Sequence, residues 1–179
     1  SCSTCPAGKY SAAGSSSCST CVAGKYSTAG SSTCSTCPTG YYCPGGTDKK
    51  QCSAGTYSSS GASSCSTCPA GSYCPGTSDK LLCSAGTYTS STGKSSCTTC
   101  SAGTFNTGTG NTGCTTCPVG YSCTGGTNKV VCSAGTYSAG SSSGCTTCPS
   151  GYYCTGGTNK VACSAGTYSG SGATGCTGC

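Results

Sequence analysis

The residues able to do chemistry here are the cysteines: 24 of 179. Most fall in Cys-x-x-Cys pairs such as Cys2-Ser3-Thr4-Cys5, Cys34-Ser35-Thr36-Cys37 and Cys145-Thr146-Thr147-Cys148. That spacing serves three chemistries: tetrahedral zinc, thiol–disulfide exchange and structural cross-linking. Zinc is disfavoured because the chain has no His to share the ligation, and because the pairs alternate too regularly with Ser-rich loops. A redox site uses one such pair, and tandem copies make no catalytic sense. Structural disulfides remain. Cysteine at about 13% of the chain is the composition of a disulfide scaffold.

Other chemistry has little to work with. An active site needs a base, a nucleophile and a stabilising group in one pocket. His, Glu and Arg are absent, and the only carboxylates are Asp48 and Asp79. Their equivalents further on are Asn128 and Asn159, which reads as turn chemistry and is too thin a ligand set for calcium. The expectation is a non-enzymatic chain with no catalytic, cofactor-binding or metal-ligating residues.

The elements that carry the cysteines repeat. Eleven cysteines open a Cys-x-x-Gly phrase that leads into an aromatic ring, and in ten of these the ring stands five residues on, as in Cys5-Pro6-Ala7-Gly8-Lys9-Tyr10. The exception opens at Cys117, where the ring comes one place early as Tyr121. The phrase predicts a tight turn, a short strand and a Gly/Ser/Thr turn back to the next cysteine. No stretch has helical periodicity. Aliphatic residues are Leu81, Leu82 and five valines, so a conventional core is out of reach and cross-links must substitute. The fold class expected is small, disulfide-rich and mostly irregular with short β-hairpins, in an elongated tandem-repeat rod without a hydrophobic core.

Splitting at the Cys-x-x-Cys pairs gives a short repeat at 2–17, then two equal blocks. Block 18–96 holds a short unit 18–33 and long units 34–64 and 65–96. Block 97–175 holds a short unit 97–113 and long units 114–144 and 145–175. Residues 176–179 open a further unit. Each long unit reads as a short one with an insert. With no initiating Met and no signal-like apolar run, the chain reads as a mature segment of a longer one.

The simplest closure pairs each second cysteine with the next first one: Cys5–Cys18, Cys21–Cys34, Cys52–Cys65, Cys83–Cys97, Cys100–Cys114, Cys132–Cys145 and Cys163–Cys176. The inserts close on themselves as Cys37–Cys43, Cys68–Cys74, Cys117–Cys123 and Cys148–Cys154, leaving Cys2 and Cys179 unpaired in this stretch. A crossed alternative, such as Cys37 with Cys52, stays open.

The rings Tyr10, Tyr26, Tyr42, Tyr57, Tyr73, Tyr88, Phe105, Tyr121, Tyr137, Tyr153 and Tyr168 are expected to form mini-cores over the bridges, with a sugar-stacking row as the alternative. Candidate O-glycan acceptors are Ser15, Ser16, Ser17, Ser58, Ser59, Ser60, Ser90, Ser91, Thr92, Ser141, Ser142 and Ser143. No Asn-x-Ser/Thr sequon exists. The net charge of +6 comes from lysines spread one or two per repeat, read as solubility; the absence of clustered Arg and Lys argues against nucleic acid. Lys80-Leu81-Leu82 and Lys129-Val130-Val131 are read first as packing against the neighbouring unit and second as a ligand-binding surface.

Units such as Cys52-Ser53-Ala54-Gly55-Thr56-Tyr57 through Cys65-Ser66-Thr67-Cys68-Pro69-Ala70-Gly71-Ser72-Tyr73 resemble the ephrin-receptor-like cysteine-rich repeats of protist surface proteins and animal extracellular proteins. The first hairpin is similar to the opening sub-module of tumour necrosis factor receptor cysteine-rich domains. The resemblance spans residues 2–179 and implies stalks and spacers. The resulting expectation is a structural component of an extracellular fibre, appendage or cell-surface coat. Its partners would be itself, as a homopolymer or through continuing repeats, and O-linked glycans, with no nucleic acid and no membrane span. The alternative is the ectodomain or stalk of a surface receptor or adhesin binding a protein or glycan.

Overall fold

A computed structural model describes residues 4–179; Cys2 lies outside the described residues. Among these residues there is no helix, and 22 short strands form eleven two-stranded antiparallel hairpins. Each hairpin is built on one Cys-x-x-Gly phrase and is called here a rung, named by its opening cysteine.

The Cys5 rung shows the local logic. The Lys9 amide donates to the Pro6 carbonyl at 3.1 Å, closing a turn whose third residue, Gly8, has φ +82°. That is the left-handed position a type II turn requires, hence glycine. Only the carbonyl of residue 6 is used, so Pro6, Val22, Pro38 and Ser53 all serve at this position, their carbonyls accepting from Lys9, Lys25, Tyr41 and Thr56. Strand Lys9–Tyr10 then pairs with Ser19–Thr20, in register Lys9↔Thr20 and Tyr10↔Ser19. The Cys21 amide donates back to the Gly8 carbonyl at 2.9 Å, so the end of one hairpin is the opening of the next.

Rungs join by a second set of backbone bonds. The turn glycine of one rung donates to the carbonyl just after the ring of the following rung: Gly8 to Ser27, Gly24 to Cys43 and Gly40 to Ser58 at 2.8 to 3.0 Å. In the reverse direction the loop glycines Gly30, Gly46 and Gly61 donate to the carbonyls of Cys5, Cys21 and Cys37 at 2.7 to 3.0 Å. Pairing two-residue strands alone would be marginal. These bonds satisfy backbone groups that no aliphatic core is present to shield.

The interior is made of sulfur. The buried apolar residues are all cysteines, fourteen of them from Cys5 to Cys154. Ten bridges are Cys5–Cys18, Cys21–Cys34, Cys37–Cys43, Cys52–Cys65, Cys68–Cys74, Cys100–Cys114, Cys117–Cys123, Cys132–Cys145, Cys148–Cys154 and Cys163–Cys176. Cys83 and Cys97 are also disulfide-bonded, and Cys179 is free and exposed. The rings do not fill the interior as a mini-core: they are half-buried along the surface, and Tyr168 is 58% exposed.

The insert of each long unit is a full rung. Tyr41–Tyr42 pairs with Lys50–Gln51 just as Lys9–Tyr10 pairs with Ser19–Thr20. What differs is the bridge. In one rung type the opening cysteine reaches the residue before the second strand, as Cys52 reaches Cys65 across 13 residues. In the other it reaches the residue after the ring, as Cys37 reaches Cys43 across 6. The vacated position is refilled each time. Where the residue after the ring is not cysteine it is Ser27, Ser58, Thr89, Asn106 or Ser138, all buried, or, in the first and last rungs, Ser11 and Ser169, both half-buried. The hydroxyls of Ser27, Ser58 and Thr89 donate to the carbonyls of Lys9, Tyr41 and Ser72 in the preceding rung. Asn106 Nδ2 donates likewise to the Thr87 carbonyl, and its Oδ1 accepts from the Gly86 amide at 2.6 Å. Where the residue before the second strand is not cysteine it is Lys49, Lys80 or Lys160; in the longer hairpin of the Cys117 rung the equivalent residue, Lys129, lies inside the strand Asn128–Val131.

This grammar is testable by exchanging rung types. Cys43→Ser alone removes a bridge worth about 2 kcal/mol and strands the Cys37 thiol. Cys43→Ser with Lys49→Cys is expected to close Cys37 to position 49 and recover most of that loss. Denaturant midpoints of the two variants, with thiol counting, check it; a double variant no more stable than the single one would refute the two-type reading.

The described residues divide into two compact units, one of residues 4–82 with 89–97 and the other of residues 83–88 with 98–179. Both are built from the same rungs. The longest hairpin is in the second: Tyr121–Gly125 pairs with Asn128–Val131, with a register shift between Ser122 and Gly125.

Candidate functional surface

Each of Lys49, Lys80, Lys129 and Lys160 is held over one or two aromatic rings. Lys49 Nζ lies 4.6 Å from the Tyr26 ring centre and 5.6 Å from that of Tyr41. Lys129 sits 5.1 Å from Phe105 and 5.2 Å from Tyr121. Lys160 sits 5.3 Å from Tyr137 and 4.8 Å from Tyr152. Lys80 lies 5.1 Å from Tyr57 and has no second ring, because its rung carries the buried Ser72 where the others carry Tyr. For Lys49, Lys129 and Lys160 one ring comes from the lysine's own rung and one from the rung before, and for Lys80 the ring is that of the rung before, so each ammonium joins two rungs. The preceding loop is set by an acceptor: Asp48, Asp79 and Asn159 Oδ1 accept from the amides of Lys49, Lys80 and Lys160 at 2.7 to 2.9 Å. Asp and Asn do this equally well, which accounts for their interchange.

Reading these lysines as solubility alone missed their role. The signal was present: each stands six residues after the cysteine of an insert, as Lys49 follows Cys43 and Lys160 follows Cys154. Lys160→Gln is expected to lower stability by about 0.5–1 kcal/mol, against no measurable change for Lys94→Gln, whose side chain is exposed and over no ring. Thermal melts of the oxidised chain check this.

At two of the junctions where no such lysine is available, the space between rungs is open. One groove of about 320 Å³ is lined by Tyr10 and Thr20 of the Cys5 rung and by Val22, Lys25, Thr33 and Cys34 of the next. Another of about 480 Å³ is lined by Tyr42, Gln51, Cys52, Ser53, Thr56, Ser64 and Cys65. The two occupy equivalent positions, between the ring of one rung and the residue before the ring of the following one.

The second strands of the insert rungs project outwards. Leu81 and Leu82 are 41% and 60% exposed, Val130 and Val131 52% and 53%. The expected packing of these pairs against a neighbouring unit is therefore corrected: the two-residue strand Leu81–Leu82 and the four-residue strand Asn128–Val131 are exposed along their whole length. Of the candidate acceptors, Ser15–Ser17, Ser59, Ser60, Ser90, Ser91, Thr92, Ser141 and Ser143 are exposed and Ser142 is half-buried. Ser58 is corrected, since it is 3% exposed and its hydroxyl donates to the Tyr41 carbonyl at 2.6 Å.

Among the described residues no group of three His, Cys, Asp or Glu is placed to hold a metal ion, and no helix is long and apolar enough to cross a membrane. The oxidised cysteines mark an extracellular or secreted protein. Compared with known proteins, the chain matches no family model and no curated sequence.

Proposed function

We propose that this chain is a structural element of an extracellular fibre, appendage or cell-surface coat. The observation that supports this reading most is that one bonding scheme recurs from rung to rung: a turn-glycine amide to the next rung, a loop amide back, and a bridge inside each rung. Such a scheme propagates without a global core, as repeat architectures do. The role is mechanical, resisting unfolding and proteolysis, and needs no catalytic centre. Self-association and O-linked glycans on the exposed Ser/Thr loops belong to the same proposal. Small-angle scattering of the oxidised chain tests it. A compact particle of this length has a radius of gyration of about 16 Å; the proposal expects a clearly larger value with a rod-like profile, and a compact value would sink it.

The exposed pairs Leu81-Leu82 and Val130-Val131 favour a second reading, a receptor or adhesin ectodomain that binds a protein ligand through them. Under it, Leu81→Ser with Leu82→Ser abolishes partner binding while the oxidised fold is retained; under the first reading only lateral contacts weaken.

A further inference from the structure

We propose that the open groove over Tyr10 binds an anionic sugar, a pyranose carrying a carboxylate or sulfate, as one residue of a polysaccharide. The first support is internal. Grooves of this kind lie between the ring of one rung and the strand of the next. Wherever the next rung brings a lysine before its second strand, that ammonium sits over the ring, as Lys49 does over Tyr26 and Lys80 over Tyr57. The space beside the ring thus accepts an occupant against an aromatic face; the occupant seen is a cation, so in a sugar the C–H face meets the ring and the anionic substituent is directed away from it, to Lys25. In the Tyr10 groove the following rung puts Cys34 at that position, bridged to Cys21, and the groove is left vacant of any cap.

The second support is the lining. Tyr10 offers a half-buried ring against which the C–H face of a pyranose stacks. Thr20 and Thr33 are exposed hydroxyls, suited to sugar hydroxyls. Lys25 supplies the single cation, which an anionic substituent meets by a charge-assisted hydrogen bond. Val22, 67% exposed, forms an apolar lip. A volume of about 320 Å³ is at the small end for ligand sites, suited to one sugar of a longer chain. The Tyr42 groove is the built-in contrast: it has a ring, Gln51, Ser53, Thr56 and Ser64 but no lysine in its lining, so it offers no selectivity for the anion. An oxidising compartment and the hydroxyl-rich lining favour a polysaccharide over nucleic acid. The site lies within one chain and is independent of whether copies assemble.

The test is amide chemical-shift titration of the oxidised 179-residue chain with four probes: a uronic-acid tetrasaccharide, a sulfated tetrasaccharide, a neutral tetrasaccharide and a dT tetranucleotide. The expected result is that an anionic sugar moves the Thr20, Lys25 and Thr33 amides and binds more tightly than the neutral one, with the tighter of the two anionic probes naming the substituent. Lys25→Gln weakens that binding roughly fivefold and leaves the neutral probe unchanged. Lys9→Gln, of the same net charge, leaves the anionic probe unchanged. The proposal is overturned if no sugar moves these amides, if Lys9→Gln and Lys25→Gln lose affinity equally, or if the tetranucleotide binds there as well as the anionic sugars.

Discussion

Reduction of the disulfides is expected to unfold this chain completely, without a residual compact state. Among the described residues the buried apolar side chains are cysteines alone, and Leu81, Leu82 and all five valines are exposed. Burial of aliphatic area, the dominant stabilising term of ordinary domains, is therefore nearly missing. Each bridge across 13 residues, such as Cys21–Cys34, contributes roughly 3 kcal/mol by restricting the unfolded chain. Removing it also turns a buried bridge into two thiols with no packing to hold them in place. Amide spectra recorded with and without reductant give the answer: collapse to random-coil shifts is expected, and retained dispersion in the reduced state would show a source of stability other than sulfur.

The second large effect is at the turn glycines. Gly135 has φ +82°, and a Cβ built there would lie 2.7 Å from the carbonyl oxygen of Gly172, two rungs further on. Gly24 is the same, with φ +83° and 2.5 Å to the Gly61 carbonyl oxygen. Alanine at either position meets both the left-handed penalty of about 1–2 kcal/mol and a backbone that has to move. Gly135→Ala and Gly24→Ala are each expected to lose more than about 3 kcal/mol. Gly14 separates the two causes, because it has φ +82° but open space around it; Gly14→Ala is expected to lose only about 1 kcal/mol. Gly144, with open space and no positive φ, is expected to change by less than about 0.5 kcal/mol. Denaturant midpoints of the four oxidised variants check the order. Equal losses at Gly14 and Gly135 would mean that the contact two rungs away carries no weight.

Much of this fold is legible in the sequence because its determinants are local. The Cys-x-x-Gly-x-Tyr phrase carries the turn, the left-handed glycine and the strand within six residues, and the hairpins follow. Sequential closure of the cysteines needs only neighbouring rungs, and the structure brings those same residues together. What joins one rung to the next is not legible. The bonds from Gly8 to Ser27 and from Gly30 back to Cys5 run between backbone groups, which every residue has, so no residue type announces them. The rung-type exchange was half visible: position 43 or 49 carries a cysteine or its replacement, but reading Cys37–Cys43 as an insert hid the fact that Lys49 stands where Cys65 stands in the next rung. The Leu81–Leu82 pair misled because apolar residues are assumed to be covered, and a two-residue strand has nothing to cover them with.

Whether the rungs build an extended extracellular structure is tested most directly by electron microscopy of the native, non-reduced material. The account predicts regular filaments whose axial repeat matches the 79-residue block that begins at Cys18 and again at Cys97. Isolated globular particles, with no filament and no axial repeat, would contradict it.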